Sequence, residues 1–270
     1  NRVMNGTVVK NKEIYTGHFL LSVKLPDSFK TPMPGQFVML REAGRIDPLL
    51  GRPFGVYHFE RSGNGAGVGI LYKVVGKGTL LLSRLKEGDF VELFGPYGRA
   101  FDIYPEAGKV VFICGGIGVA PITYLALHYR RQTVARDVKL VCYYGASKAE
   151  NLVGMEKLEE ICGKVFISTD DGSAGHQGMI TEKFAEDVSS YESGTSRIYA
   201  CGPRPMLKQL RELLAENPVS CQILMEERMA CGVGACLGCM VPLNDVEGIE
   251  GHARACIDGP VFNIRDIRWI

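Results

Sequence analysis

The sequence predicts a β + α/β chain in three parts. These are an N-terminal antiparallel β-barrel over residues 1–102, a central parallel-sheet nucleotide-binding domain over 103–225, and a small C-terminal module over 226–270. Three observations lead there. Short period-two segments broken by Gly and Pro fill the first part. Strands and helices alternate in the second. Cysteines spaced C-x4-C-x2-C, with one more further on, mark the third.

In the first part, Phe19, Leu21, Val23 and Leu25 alternate with Leu20, Ser22 and Lys24, the period of a half-buried strand. Pro26, Pro32 and Pro34 punctuate the next stretch, and further strands are expected at 36–40, 56–59, 68–75 and 90–94. Gly63, Gly65 and Gly67 read as a turn. Closely spaced strands with almost no helical period imply a small antiparallel barrel.

At Lys109 the rhythm changes. Val110-Val111-Phe112-Ile113-Cys114 is a continuous apolar run, as expected of a strand buried on both faces. A glycine turn and a helical stretch through Tyr124 and Leu127 come next. Strands expected at 138–144, 165–168, 197–201 and 221–225 alternate with helical patterns at 155–161, 181–188 and 206–214. That order means a parallel sheet with right-handed crossovers. After Met225 the chain reads as irregular, rich in glycine and cysteine, and dependent on a bound cluster for its order.

Composition narrows the function. Lys+Arg 31 against Asp+Glu 30 leaves no basic field for nucleic acid. No apolar run approaches the roughly 20 residues of a membrane span. The opening Asn1-Arg2-Val3-Met4 lacks the apolar core of a signal peptide, so a reducing cytoplasmic setting is expected.

Cys231, Cys236, Cys239 and Cys256 follow the spacing by which plant-type [2Fe–2S] clusters are held, since two tetrahedral irons need four thiolates. Zinc is the competing reading, but it usually takes two C-x2-C pairs, and here there is one. Nine cysteines, an odd number, argue against a disulfide framework. Cys114, Cys142, Cys162 and Cys221 read as core residues. The five histidines have no ligand spacing, and Trp269 reads as a packing anchor.

Gly115-Gly116-Ile117-Gly118-Val119-Ala120-Pro121 stands between a buried strand and a helix, where glycines let a dinucleotide pyrophosphate approach the helix N-terminus. Cys201-Gly202-Pro203 ends a later strand on the edge where such sheets bind ligands. Read alone, it is equally a strand-to-helix turn. In the barrel, Arg52 beside Pro53-Phe54-Gly55 offers a bidentate phosphate donor. Leu71-Tyr72-Lys73 runs on to Gly76, Gly78 and Thr79 in a glycine-threonine loop with a backbone N–H and a hydroxyl to offer. Separately, a surface arginine and a hairpin turn explain these as well. Asp170 and Asp171 come after a parallel strand, where a carboxylate binds a ribose hydroxyl or simply stays solvated.

Taken together, these residues resemble the ferredoxin–NADP reductase superfamily. The match lies in Arg52-Pro53-Phe54 and Gly76-Lys77-Gly78-Thr79, then residues 115–121 and Cys201-Gly202-Pro203. Within it, Met225-Glu226-Glu227-Arg228-Met229-Ala230-Cys231-Gly232-Val233-Gly234-Ala235-Cys236, with Cys256-Ile257-Asp258-Gly259-Pro260-Val261-Phe262, is similar to the electron-transfer subunits of class 1B dihydroorotate dehydrogenases, and the resemblance runs essentially the whole chain. The resemblance implies a flavin-binding barrel holding FAD, NAD on the nucleotide domain, and one [2Fe–2S] cluster. It also implies an FMN-containing catalytic partner in a heterotetramer of two plus two, oxidising dihydroorotate to orotate in pyrimidine biosynthesis. By the same resemblance, Arg52 binds the FAD pyrophosphate and Pro53, Phe54 and Gly55 flank the isoalloxazine. Leu71, Tyr72 and Lys73 line the flavin, and Gly76, Gly78 and Thr79 hold its phosphates. Gly115, Gly116, Gly118 and Pro121 cradle NAD, and Cys201, Gly202 and Pro203 lie near the nicotinamide. Gly55 departs from the family, which usually has serine or threonine there. Two rival readings remain. One is the same reductase module serving a sulfide dehydrogenase, hydrogenase or bifurcating transhydrogenase. The other is a zinc-stabilised NAD-binding sensor.

Overall fold

The computed structural model describes residues 3–63, 65–132, 138–246 and 249–269. Asn1 and Arg2, the first two residues of the opening, lie outside the described residues.

The first sheet is antiparallel and built from β1 (Met4–Tyr15), β2 (His18–Leu25), β3 (Phe37–Glu42), β4 (Arg52–Gly55), β5 (His58–Ser62), β6 (Gly65–Lys73) and β7 (Phe90–Tyr97). They lie in the order β4-β3-β7-β1-β2-β6-β5. Alternation sets the faces. Leu21, Val23 and Leu25 point inward from β2 to meet Val38, Leu40, Ile70, Val91 and Leu93 in one apolar core. Burying each such side chain contributes about 1.5–3 kcal/mol, so the barrel needs no ligand to close.

Two details differ from the sequence reading. Gly65 and Gly67 are not turn residues but lie within β6, opposite Ser62 and Glu60. The inward residues Ala66, Val68 and Ile70 between and beyond them supply the burial that holds the strand. The glycine-threonine loop is the start of a short helix, α1 (Lys77–Leu82), entered from Gly76. The Thr79 hydroxyl organises that entry, accepting the N–H groups of Val75 at 2.9 Å and Gly76 at 3.1 Å.

The second sheet contains β8 (Lys109–Gly115), β9 (Lys139–Ala146), β10 (Lys164–Thr169), β11 (His176–Gln177), β12 (Ser196–Cys201) and β13 (Ser220–Leu224). These run parallel in the order β11-β10-β9-β8-β12-β13, with helices α2 (Val119–Gln132), α3 (Met155–Ile161), α4 (Ile180–Ala185) and α5 (Arg204–Leu213) between strands. β8 is buried along almost its whole length, as its unbroken apolar run requires. The linker is pinned to this sheet. Asp102 donates its N–H to Gln222 Oε1 at 3.0 Å, Gln222 Nε2 donates to Asp102 Oδ2 at 2.6 Å, and the Tyr199 hydroxyl donates to the Asp102 carbonyl at 2.7 Å.

The remaining chain is more ordered than its composition suggests. β14 (Met240–Val246) and β15 (Ile249–Arg254) form an antiparallel hairpin, and β16 (Val261–Asn263) adds to the second sheet antiparallel to β13. The expectation of an irregular segment is corrected here. Pro242 interrupts β14 and Gly251 interrupts β15, so the hairpin's period-two signal is weak, and β16 pairs with a strand distant in sequence. The indole of Trp269 packs against this core and donates to the Ile264 carbonyl at 3.3 Å.

Candidate functional site

The carboxyl ends of the parallel strands meet the mouth of the barrel in a cleft of about 370 Å³. Arg52, Pro53, Phe54 and Gly55 line it from β4, Leu71, Tyr72 and Lys73 from β6, Thr79 from α1 and Pro121 from α2. Gly78 lies directly beneath Arg52, so that a Cβ there would run into the guanidinium. Arg52 is further steadied by donating to the Leu50 carbonyl. Tyr72 meets Phe54 edge to face at 5.7 Å and is buried, which pushes its phenol pKa up and keeps it neutral. Gly55 faces the other domain. A Cβ there would lie 3.3 Å from Pro121, so the absence of a side chain lets barrel and helix approach.

On the nucleotide side, the glycines divide the work. Gly118 packs against the backbone of Cys201 and Gly202, and a Cβ at Gly115 would lie 2.8 Å from Pro203. The two sequence motifs thus abut at the ends of the adjacent strands β8 and β12. Gly116 is different: its backbone is left-handed, with φ +53, and nothing stands within 4 Å of where a Cβ would be. It is an open cradle that begins the 3-10 turn Gly116–Gly118 leading into the fourteen-residue α2, an N-terminal end that suits a pyrophosphate. Cys201 is fully buried, and burial together with the nearby Glu226 carboxylate pushes its thiol pKa well up. It remains a neutral thiol and offers no nucleophile.

The fourth wall of the cleft comes from the stretch that carries the family resemblance, although none of its residues was expected in the flavin site. Leu224, Met225, Glu226, Glu227 and Met229 line it, with Pro260 beyond the cysteines. The walls crowd the Glu226 carboxyl and raise its pKa by desolvation, although the residue opens onto the cleft. Glu227 pairs with Arg204 at 3.1 Å, tying this wall to the turn after Cys201. Sequence reasoning singles out the stretch as a motif but misses its place in the cleft, because it becomes a wall only when the barrel stands against the sheet.

The same segment runs into the cysteine loop. The hairpin closes the long sequence gap: Met240 pairs with Arg254, and the Ala255 N–H donates to the Cys239 carbonyl at 2.9 Å, which brings Cys256 beside Cys239. The thiols then fall into two pairs. Cys236 is the sulfur neighbour of Cys231, and Cys239 that of Cys256. Backbone N–H groups aim at the sulfurs: Val233 and Cys236 to Cys231, each at 3.4 Å, and Gly234 to Cys256 at 3.1 Å. The Val233 donor foremost, with those of Cys236, brings the Cys231 thiol down to about 6. Burial, and donation to Cys239, pushes Cys256 up to about 11. Two pairs of sulfurs ringed by N–H donors fit two irons with two thiolates each. Among the described residues no three His, Cys, Asp or Glu side chains converge as the ligand set of one ion.

Asp170 and Asp171 come directly after β10. Asp171 accepts from Ser173 N at 3.0 Å and from its hydroxyl at 2.5 Å, and these bonds hold its carboxyl below the usual range. The Ser173 hydroxyl in turn accepts the Ala149 N–H at 2.8 Å, linking this loop to the one after β9.

Residues 112–212 match the family model of the oxidoreductase NAD-binding domain, and residues 226–268 match that of the iron–sulfur cluster binding domain of dihydroorotate dehydrogenase B. The solved structure of an NADH-dependent reduced ferredoxin–NADP oxidoreductase superposes with a TM-score of 0.81 at 26% identity, covering 98% of this chain and 90% of that one. A ferredoxin NADP+ reductase from Neisseria gonorrhoeae, solved with FAD and NADP, shares the fold at a TM-score of 0.64 and 18% identity, covering 80% of this chain and 92% of that one. Fold and site together define an NAD-linked oxidoreductase of the ferredoxin reductase type that carries an iron–sulfur domain. The electron transfer subunit of dihydroorotate dehydrogenase B (NAD(+)) from Caldanaerobacter subterraneus subsp. tengcongensis is 39% identical over 96% of each chain. Its counterpart in Desulforamulus reducens is 34% identical over 100% of this chain and 99% of that one. The chain belongs to this family of electron transfer subunits.

Proposed function

We propose that this chain passes electrons between NAD and an FMN-bearing partner that oxidises dihydroorotate to orotate, by way of FAD and one [2Fe–2S] cluster. The observation that carries the reading is continuity. One cleft joins the barrel to the nucleotide-binding edge, and its fourth wall runs directly into the paired thiols.

In this reading the parts are residues 1–102, 103–225 and 226–270. When bound, FAD takes electrons from nicotinamide as a hydride pair and exchanges them singly with the cluster. The residues of the chain bind, orient and exclude water. Arg52, with Gly78 and Thr79, holds the FAD pyrophosphate, and Gly76 leads the chain into that turn. Pro53, Phe54 and Gly55, with Leu71, Tyr72 and Lys73, form the apolar bed of the ring. Gly116 receives the NAD pyrophosphate, with Gly115, Gly118 and Pro121 shaping the turn. Cys201, Gly202 and Pro203 close the nicotinamide end. Cys231 and Cys236 hold one iron, and Cys239 and Cys256 the other. Asp170 and Asp171 favour NADH by repelling a 2′-phosphate.

The apolar Val233, Leu237 and Ile257 are exposed around the cluster loop and offer the partner a docking face. No described helix is long and apolar enough to cross a membrane, and the cytoplasm is the proposed location. The test is reconstitution. The loaded chain alone should pass electrons from NADH to a dye yet leave dihydroorotate untouched. Adding the FMN-bearing subunit should produce dihydroorotate-dependent NAD+ reduction. Oxidation of dihydroorotate by the isolated chain would refute the division of labour.

A further inference from the structure

We propose that Met229 is the positioning residue through which the flavin cleft is coupled to the iron–sulfur loop, an inference that rests on the proposed electron-transfer function. Met229 lines the cleft together with Pro53 and Phe54. It also packs against the apolar core that contains the buried Cys239 and Cys256. Two residues further on stands Cys231. Its side chain therefore belongs to both environments.

Phe37 and Met225 share both surroundings, but each is committed elsewhere. Phe37 is held against the Tyr97 ring at 6.0 Å, and Met225 is buried in the core at 2% exposure. Of the three, Met229 stands nearest in the chain to a cluster thiol, two residues before Cys231. A long, unbranched, polarisable thioether fills an irregular gap without a rigid shape of its own.

The loop beyond it is fixed in place. Gly232 is buried and left-handed, with φ +68, and a Cβ there would lie 2.8 Å from Met39 Cγ. The Met39 backbone pairs with Pro53, a residue of the cleft. The cleft and the loop are thus held at a set separation, and Met229 fills the space that the wall spans. Each transfer across it removes one electron from the reduced flavin and adds one to the cluster. Hydride from NADH supplies the pair, and the proton left on the flavin goes to water.

The test uses the full chain loaded with FAD and cluster, mixed anaerobically with NADH, with flavin bleaching and cluster reduction followed separately. In Met229→Ala the ratio of the cluster rate to the flavin rate should fall about tenfold. Met229→Leu, which keeps the bulk, should restore most of that ratio. Two further readouts exclude a merely structural effect: FAD affinity from fluorescence quenching, and the cluster midpoint potential, which should match between the Leu variant and the unaltered chain. An unchanged ratio in Met229→Ala would overturn the proposal, as would both rates falling in step. A cluster that NADH never reduces in the unaltered chain would overturn the functional reading along with it.

Discussion

The flavin cleft and the cluster loop are built by opposite means. The cleft is made of side chains standing on strands whose cores close without help. The loop is made of backbone: glycines, N–H donors and four thiols, with little apolar mass of its own. The contrast continues inside the loop. Cys239 and Cys256 are 2% and 0% exposed and are set side by side by a hairpin, whereas Cys236 is exposed and Cys231 only half-buried. The inner pair belongs to the protein core. The outer pair is held by donors that favour charged sulfur, and it gains most from a bound metal.

Losing a ligand on either side of the loop should give the largest effect. Cys236→Ala and Cys256→Ala should each abolish the EPR signal of the reduced cluster while FAD stays bound. The cluster-free proteins should then differ. Cys256→Ala leaves a small cavity in a packed core and should lower stability by about 1 kcal/mol, whereas Cys236→Ala should leave it unchanged. Equal melting temperatures for the two cluster-free variants would erase the inner–outer distinction.

The cleft should respond to a single methyl group. Gly78→Ala displaces the Arg52 guanidinium and should weaken FAD binding about tenfold, read from fluorescence quenching. The EPR signal should survive this change, and its loss would mean that cleft and loop are one unit. Gly116→Ala forces a side chain into left-handed backbone at about 1–2 kcal/mol, with open space around it. The KM for NADH should rise several-fold while FAD affinity holds. A matching fall in FAD affinity would move Gly116 out of the nucleotide site.

The smallest effect tests the outer rim. Leu237, between Cys236 and Gly238, is 59% exposed and is the non-glycine residue with positive φ among those described, at +57. Leu237→Gly should relieve about 1 kcal/mol of backbone strain in the isolated chain and yet weaken capture of the FMN-bearing partner. Stronger partner binding in the glycine variant would remove Leu237 from the docking face.

What the sequence disclosed depends on where its information lies. The four cysteines sit in a short segment whose spacing already states a chemistry, and the glycine turn around Gly116 is legible from its place between strand and helix, whereas Arg52 is legible only through the family resemblance. The pairing of Cys239 with Cys256 depends on the register of β14 with β15, a hairpin whose pattern is broken by Pro242 and Gly251. The wall from Leu224 to Met229 becomes a wall only when the barrel is placed against the sheet, and that placement rests on remote partners such as Asp102 and Gln222. Helix α1 is hidden because Gly76 and Thr79 suit a loop and a helix start equally well.

The chain leaves the second sheet at Met225 and rejoins it as β16, and the Met225 N–H donates to the Pro260 carbonyl at 2.9 Å where the two paths cross. The cluster module is therefore topologically an insertion with a closed neck, of the kind that domains accept without disturbing the host. The sheet has no need to know what the excursion carries. A reductase of this build can exchange its one-electron terminal, gaining a different cluster or none, while its hydride-handling cleft keeps the Pro260 that the returning strand supplies.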